Sequence, residues 1–115
     1  MMSTFPQTID DATFQQFVRE ADRPVVLDFW ADWCPPCKLI TPWMERLAAQ
    51  HADQIAVGLV NVDDCPEMVA HFNIQSMPTV LFLKDGQIVH RQLERFDEAG
   101  LGQLVVEHLL RDGGA

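Results

Sequence analysis

Apolar residues recur along this chain in two periods, and the periods change several times. Val25 to Trp30 is a short, mostly apolar run bounded by Pro24 and a polar turn. It predicts a strand buried on both faces, and Ile55 to Val62 reads the same way. Between them Ile40, Trp43, Met44, Leu47 and Ala48 fall at helical spacing. They predict a helix from about Cys34 to His51, kinked where Pro42 removes an N–H. Upstream, Thr4 to Ile9 reads as a short edge strand weakened by Pro6. Asp10 or Asp11 is placed to cap a helix running to about Ala21, with Phe14, Phe17 and Val18 on one face.

Downstream, Pro66 to Phe72 predicts a short helix with proline in its first turn. Thr79 to Leu83 and Gln87 to Leu93 read as paired strands around the turn Lys84-Asp85-Gly86-Gln87. Asp97 is placed to cap a last helix with Leu101, Leu104, Val105 and Leu109 facing inward; Gly100 and Gly102 weaken its first turn. Strand–helix alternation followed by a hairpin and a helix predicts an α/β sandwich around a mixed sheet.

Composition narrows the function. The chain has 115 residues, of which 48% are hydrophobic, enough for a core without disulfide staples. It reads as one domain over 1–115, with 1–4 and 112–115 expected to be loose. The net charge is −9, from 17 acidic and 8 basic residues. Such a chain is ill suited to a nucleic-acid backbone or an anionic membrane. No apolar run reaches the roughly 20 residues of a membrane span. The first 24 residues carry Asp10, Asp11, Arg19, Glu20 and Asp22 and lack a signal-type apolar stretch. The expected compartment is the reducing cytoplasm, where a close cysteine pair points to catalysis or metal rather than to a structural staple.

The pair is Cys34-Pro35-Pro36-Cys37, placed directly after a buried strand and opening a helix. Unpaired N–H groups and partial positive charge at a helix start favour a thiolate. The two-residue spacing lets the second sulfur reach the first. Half of a zinc site is the competing reading, with Cys65, His51 or His71 supplying further ligands. There is no second cysteine pair and no histidine pair at ligand spacing, so redox chemistry is expected and metal is not. Asp28 interrupts its apolar strand. It is either buried, and then holds its proton, or tipped into solvent at the strand end.

The run Leu27-Asp28-Phe29-Trp30-Ala31-Asp32-Trp33-Cys34-Pro35-Pro36-Cys37-Lys38 resembles the active-site segment of the thioredoxin family. Met77-Pro78-Thr79 resembles that family's cis-proline loop, and Lys84-Asp85-Gly86 its hairpin turn; Asn61-Val62-Asp63 and Pro42 also fit. The resemblance runs from about Phe14 to Leu110. It implies the thioredoxin fold: a central mixed sheet of four to five strands flanked by about four helices.

By the same resemblance Cys34 would be the exposed nucleophile and Cys37 the resolving thiol, with Asp28 serving its proton transfer. Trp33, Met77 and a cis Pro78 would meet substrate; a packing role for Trp33 and an ordinary trans Pro78 are the plainer alternatives. Pro35, Pro36 and Lys38 would tune the site, although a solvated Lys38 is the commoner case. Trp30 and Phe29 are expected in the core. The family often has Gly at Pro35, Lys at Leu59 and Gly at Glu94.

The implied activity is reduction of protein disulfides through a mixed disulfide, with no bound cofactor beyond the Cys34–Cys37 pair. Recharging would come from a thioredoxin-reductase-like flavoprotein that uses NADPH. A monomer is expected, and Cys65 is expected to be dispensable unless the start of its short helix lowers its pKa. The rival is a thioredoxin-fold binding or chaperone-like module with secondary redox activity.

Overall fold

The computed structural model describes residues 5–93 and 96–110. The loose ends expected at 1–4 and 112–115, and the departure at Glu94, lie outside them. In chain order the elements are β1 (Gln7–Thr8), α1 (Phe14–Glu20), β2 (Val25–Trp30), α2 (Pro35–Gln50), β3 (Ala56–Asn61), α3 (Pro66–His71), β4 (Thr79–Lys84), β5 (Gln87–Leu93) and α4 (Glu98–Val105). A π-helical turn, Val106–Leu110, continues α4.

The five strands form one mixed sheet in the order β1-β3-β2-β4-β5. β1, β3 and β2 run parallel, while β4 is antiparallel to both β2 and β5. Strand side chains alternate between faces, and the core divides accordingly. Val26 of β2 joins Ile40, Met44 and Leu47 of α2 and Leu101, Val105 and Leu109 on one face. Val25, Leu27 and Phe29 join Met68 of α3, Phe72, Phe14 and Phe17 on the other. β2 is covered on both sides, as its mostly apolar run predicts.

Near the N-terminus two boundaries and one cap differ from the sequence expectation. β1 keeps only two residues, beginning just after Pro6, although Ile9 N–H still donates to the Leu59 carbonyl at 2.9 Å. α1 begins at Phe14 because the Asp10 carboxylate first closes a turn, accepting from the Thr13 N–H at 2.9 Å and hydroxyl at 3.0 Å. Asp11 caps a different helix: it accepts from the N–H groups of Glu67 and Met68, at 3.0 and 2.9 Å, at the start of α3. Elsewhere the local chemistry matches. Asp97 accepts from Gly100 N–H at 2.7 Å, and Asp85 and Gly86 take the positive φ angles, 55° and 79°, that a tight hairpin requires.

Candidate active site

Sheet topology brings four chain segments to one end. Phe29 of β2 pairs with Thr79 of antiparallel β4, so the loop leaving β2 lies beside the loop entering β4. Trp30 pairs with Asn61 at the end of parallel β3, and Thr79 pairs with Leu93 at the end of β5. The cysteine motif leaves β2 at this end, and Met77-Pro78 enters β4 there.

Cys34 is the N-cap of α2, with Pro35 and Pro36 in the first turn. Cys34 and Cys37 are joined by a disulfide, their Cα atoms 5.4 Å apart. Neither proline has an N–H, and the Cys37 N–H donates to the Cys34 carbonyl at 3.1 Å. The sulfurs are better covered than the sequence suggests. Cys37 is fully buried, and Cys34 is only 5% exposed, correcting the expectation of an exposed Cys34. The physical reason is packing: the pair clusters with Ala31, and Trp30, Val62 and Met77 lie against it.

The flanking residues fall where the resemblance placed them. The Met77–Pro78 peptide is cis. Pro78 is buried and Met77 half-buried, and the Thr79 hydroxyl closes their loop on the Ser76 carbonyl at 2.6 Å. Trp33 is 64% exposed, yet its indole N–H donates to the Asp63 carboxylate at 3.0 Å. Asp63 is held in turn by its own N–H donating to the Asn61 side chain at 3.0 Å. Trp33 is therefore a fixed, exposed plate rather than a core residue. Pro35, Pro36 and Lys38 are exposed. Phe29 is fully buried and Trp30 partly so.

Asp28 is completely buried, and neither carboxylate oxygen has a hydrogen-bond partner. The arrangement tipped into solvent is ruled out. It pairs laterally with Leu59 and Val80, which pack on the face that α2 covers. Burial pushes its carboxyl up to about 7. The position where the family often has lysine thus supplies apolar surface and no charge.

Cys65 does not behave as a helix-start thiolate. It is buried, its thiol donates to the Ile9 carbonyl at 3.6 Å, and burial and the carboxylates of Asp11, Asp10 and Asp64 raise its pKa. The carboxylate of Asp11, not the thiol, takes the free N–H groups of α3. Among the described residues no group of three or more His, Cys, Asp or Glu side chains converges to hold a metal ion. Sequence reasoning missed Ala31 and Trp30 as packing around the disulfide. It also missed the tie between Trp33 and Asp63, for which the polar residues ending an apolar strand at Asn61-Val62-Asp63 were the available signal.

Fold and site together define a thiol–disulfide oxidoreductase of the protein-disulfide reductase kind. The thioredoxin family model matches residues 5–107, and the chain belongs to that family. It is 39% identical to thioredoxin 1 of Synechococcus elongatus over 101 residues, covering 88% of this chain and 94% of that one. The thioredoxin of Haemophilus influenzae matches with the same identity and coverage. The chloroplastic M-type thioredoxin of Spinacia oleracea is 46% identical over 81 residues, 70% of this chain; the match spans 45% of the spinach protein. The solved structure of a mutant thioredoxin from Halobacterium salinarum NRC-1 superposes with a TM-score of 0.84, covering 95% of each chain at 28% identity.

Proposed function

We propose that Cys34 is the attacking thiol and Cys37 the resolving thiol of a protein-disulfide reductase. The Cys34 thiolate attacks one sulfur of a substrate disulfide, forms a mixed disulfide and expels the first substrate thiolate. The Cys37 thiolate then attacks the Cys34 sulfur, expels the second, and leaves the Cys34–Cys37 disulfide. Asp28 takes the Cys37 proton; a carboxyl near neutral pKa is suited to both accepting and returning it. Trp33, Met77 and Pro78 border the approach, and Pro35, Pro36 and Lys38 tune the thiolate. The observation that carries this reading is the disulfide at the start of α2, packed against Met77 at the end of the sheet where four segments meet.

Substrates are disulfide-containing proteins, and the oxidised pair is returned to the dithiol by a thioredoxin-reductase-like flavoprotein at the expense of NADPH. The chain works as a monomer in the cytoplasm, with no nucleic-acid or membrane partner. Its charge of −9 disfavours a phosphate backbone or an anionic membrane as partner; no described helix is long and apolar enough to cross a membrane. Insulin reduction in the presence of dithiothreitol tests the activity. The wild-type chain and Cys65→Ser accelerate precipitation of the insulin chains, and Cys34→Ser does not. Acceleration that survives in Cys34→Ser would favour a binding module over this reading.

A further inference from the structure

The C-terminal turn meets the sheet through two histidines that the disulfide chemistry does not use. His90 on β5 and His108 on the turn Val106–Leu110 lie face to face, with ring centroids 4.2 Å apart and planes within 7° of parallel. Both rings also lean on the fully buried Phe82 of β4, at 5.5 and 6.3 Å. The Nε2–H of His90 donates to the Gln92 side-chain oxygen at 2.9 Å, which leaves Nδ1 to take a proton. The turn itself departs from regular geometry: α4 widens into a π-helix at Val106, and the wider turn carries His108. Its other anchor is Leu109, buried with Val26, Met44 and Phe82. Both histidines are half-buried, so water and protons reach them.

Histidine is the side chain whose charge ordinarily changes between about pH 5 and 8. Two neutral imidazoles stack, and a ring that gains one proton still has a neutral aromatic face beside it. Two imidazolium ions this close repel each other. The neighbouring elements do little to offset that repulsion. On β4 the charged residue on the same face is Lys84, two positions beyond Phe82, which adds a further positive charge. On β5 Arg91 is turned to the other face, its guanidinium donating to the Phe72 carbonyl at 2.8 Å. Glu107 and Asp97 line the cleft that Gln92 also borders, but Glu107 is exposed and Asp97 caps α4. α2 reaches α4 through the Arg46–Glu98 pair, at the opposite end of α4 from the turn. Near-parallel planes aim the ring lone pairs side by side rather than at one point, so the two rings form a stack and not a chelate.

We infer that the His90–His108 stack is a pH-sensitive latch, which holds the C-terminal turn on β5 while at least one ring is neutral and releases it when both are protonated. Release uncovers Phe82 and Leu109. Asp28 drives the stability of the whole fold the other way over the same range, since burial raises its pKa to about 7 and its cost falls as pH falls. A loosening confined to the turn at lower pH is therefore separate from the behaviour of the buried acid.

Hydrogen exchange on the full oxidised chain, read by NMR, tests the latch. Protection factors, corrected for the intrinsic pH dependence of exchange, are compared at about pH 8 and about pH 5. The amides of Leu109 and Leu110 are expected to lose about tenfold or more in protection at the lower pH, while those of β2 do not. His108→Phe keeps a flat ring in the stack without the charge, and its turn stays protected at both pH values. His90→Phe behaves alike, because either substitution leaves a single titrating ring. Glu107→Gln keeps or deepens the loss, because the repulsion lies between the two rings. Equal protection of the wild-type turn at the two pH values, a loss that persists in either phenylalanine variant, or a loss abolished in Glu107→Gln overturns the latch.

Discussion

Asp28 carries a carboxyl group with no partner in the middle of the sheet, and its chemistry follows from that isolation. Burial raises its folded pKa to about 7, well above the usual aspartate value. A carboxyl with a raised folded pKa binds its proton more tightly in the native state than in the unfolded chain. Stability from this group therefore falls as pH rises from about 4 to about 7, and above that the full cost, on the order of 4 kcal/mol, remains. An amide does not titrate, so Asp28→Asn is expected to stabilise the fold by about 3–4 kcal/mol more at about pH 8 than near pH 4, where the neutral carboxyl and the amide are alike buried and unpaired. It should slow disulfide reduction at the same time. Urea unfolding at the two pH values with a turnover assay checks this; equal stability and equal turnover at pH 8 would remove Asp28 from the mechanism.

Pro35 presents the complementary question, at the thiolate rather than the acid. The prolines supply no N–H, and the Cys37 N–H already donates to the Cys34 carbonyl. We expect the scarcity of backbone donors to leave the Cys34 thiolate less stabilised and the pair more reducing. Pro35→Gly restores one donor. The expected result is a lower Cys34 pKa and a potential more oxidising by about 30 mV, equivalent to roughly 1.4 kcal/mol for two electrons. A shift toward more reducing potentials would show that ring stiffness, which suits the first helical turn, controls the site instead.

Among the elements, β2 and β3 set the environment of Asp28 through their register. Asp28 lies opposite Leu59 on the α2-covered face. Leu59→Lys would place a positive charge beside the carboxylate and lower the Asp28 pKa. The acid limb of the turnover pH profile should then move to lower pH, with no such movement in Leu59→Met. An unmoved limb in Leu59→Lys would uncouple Asp28 from the titration that governs turnover.

This pairing also shows what was readable in advance. β2, α2 and the β4–β5 hairpin carry strong local signals: a mostly apolar run, helical spacing, and turn residues suited to positive φ. The cysteine pair was readable for the same reason, since its chemistry needs only a strand before it and a helix after it. The displaced start of α1 was not, because Asp10 and Asp11 are adjacent and only the fold decides that one closes a turn while the other caps α3. The burial of Asp28 needed α2 to cover its face. The Trp33–Asp63 tie joins residues far apart in sequence, and the polar residues at the end of β3 are its one local sign.

At the scale of the whole molecule, the sheet order makes one end of the fold reactive. Antiparallel β4 beside β2 brings the cis-proline loop to the cysteines, while parallel β3 delivers Val62 and Asp63 to the same end. The central claim is that this convergence makes Cys34 the sulfur that bonds to substrate and Cys37 the one that releases it. Trapping is the most direct test. Reduced Cys37→Ser and Cys34→Ser variants are mixed with insulin, quenched with acid, and the covalent adducts mapped by mass spectrometry. The account predicts a long-lived mixed disulfide on Cys34 in Cys37→Ser and no comparable adduct in Cys34→Ser. An adduct accumulating on Cys37 of the Cys34→Ser variant, with none on Cys34 of the other, would contradict it.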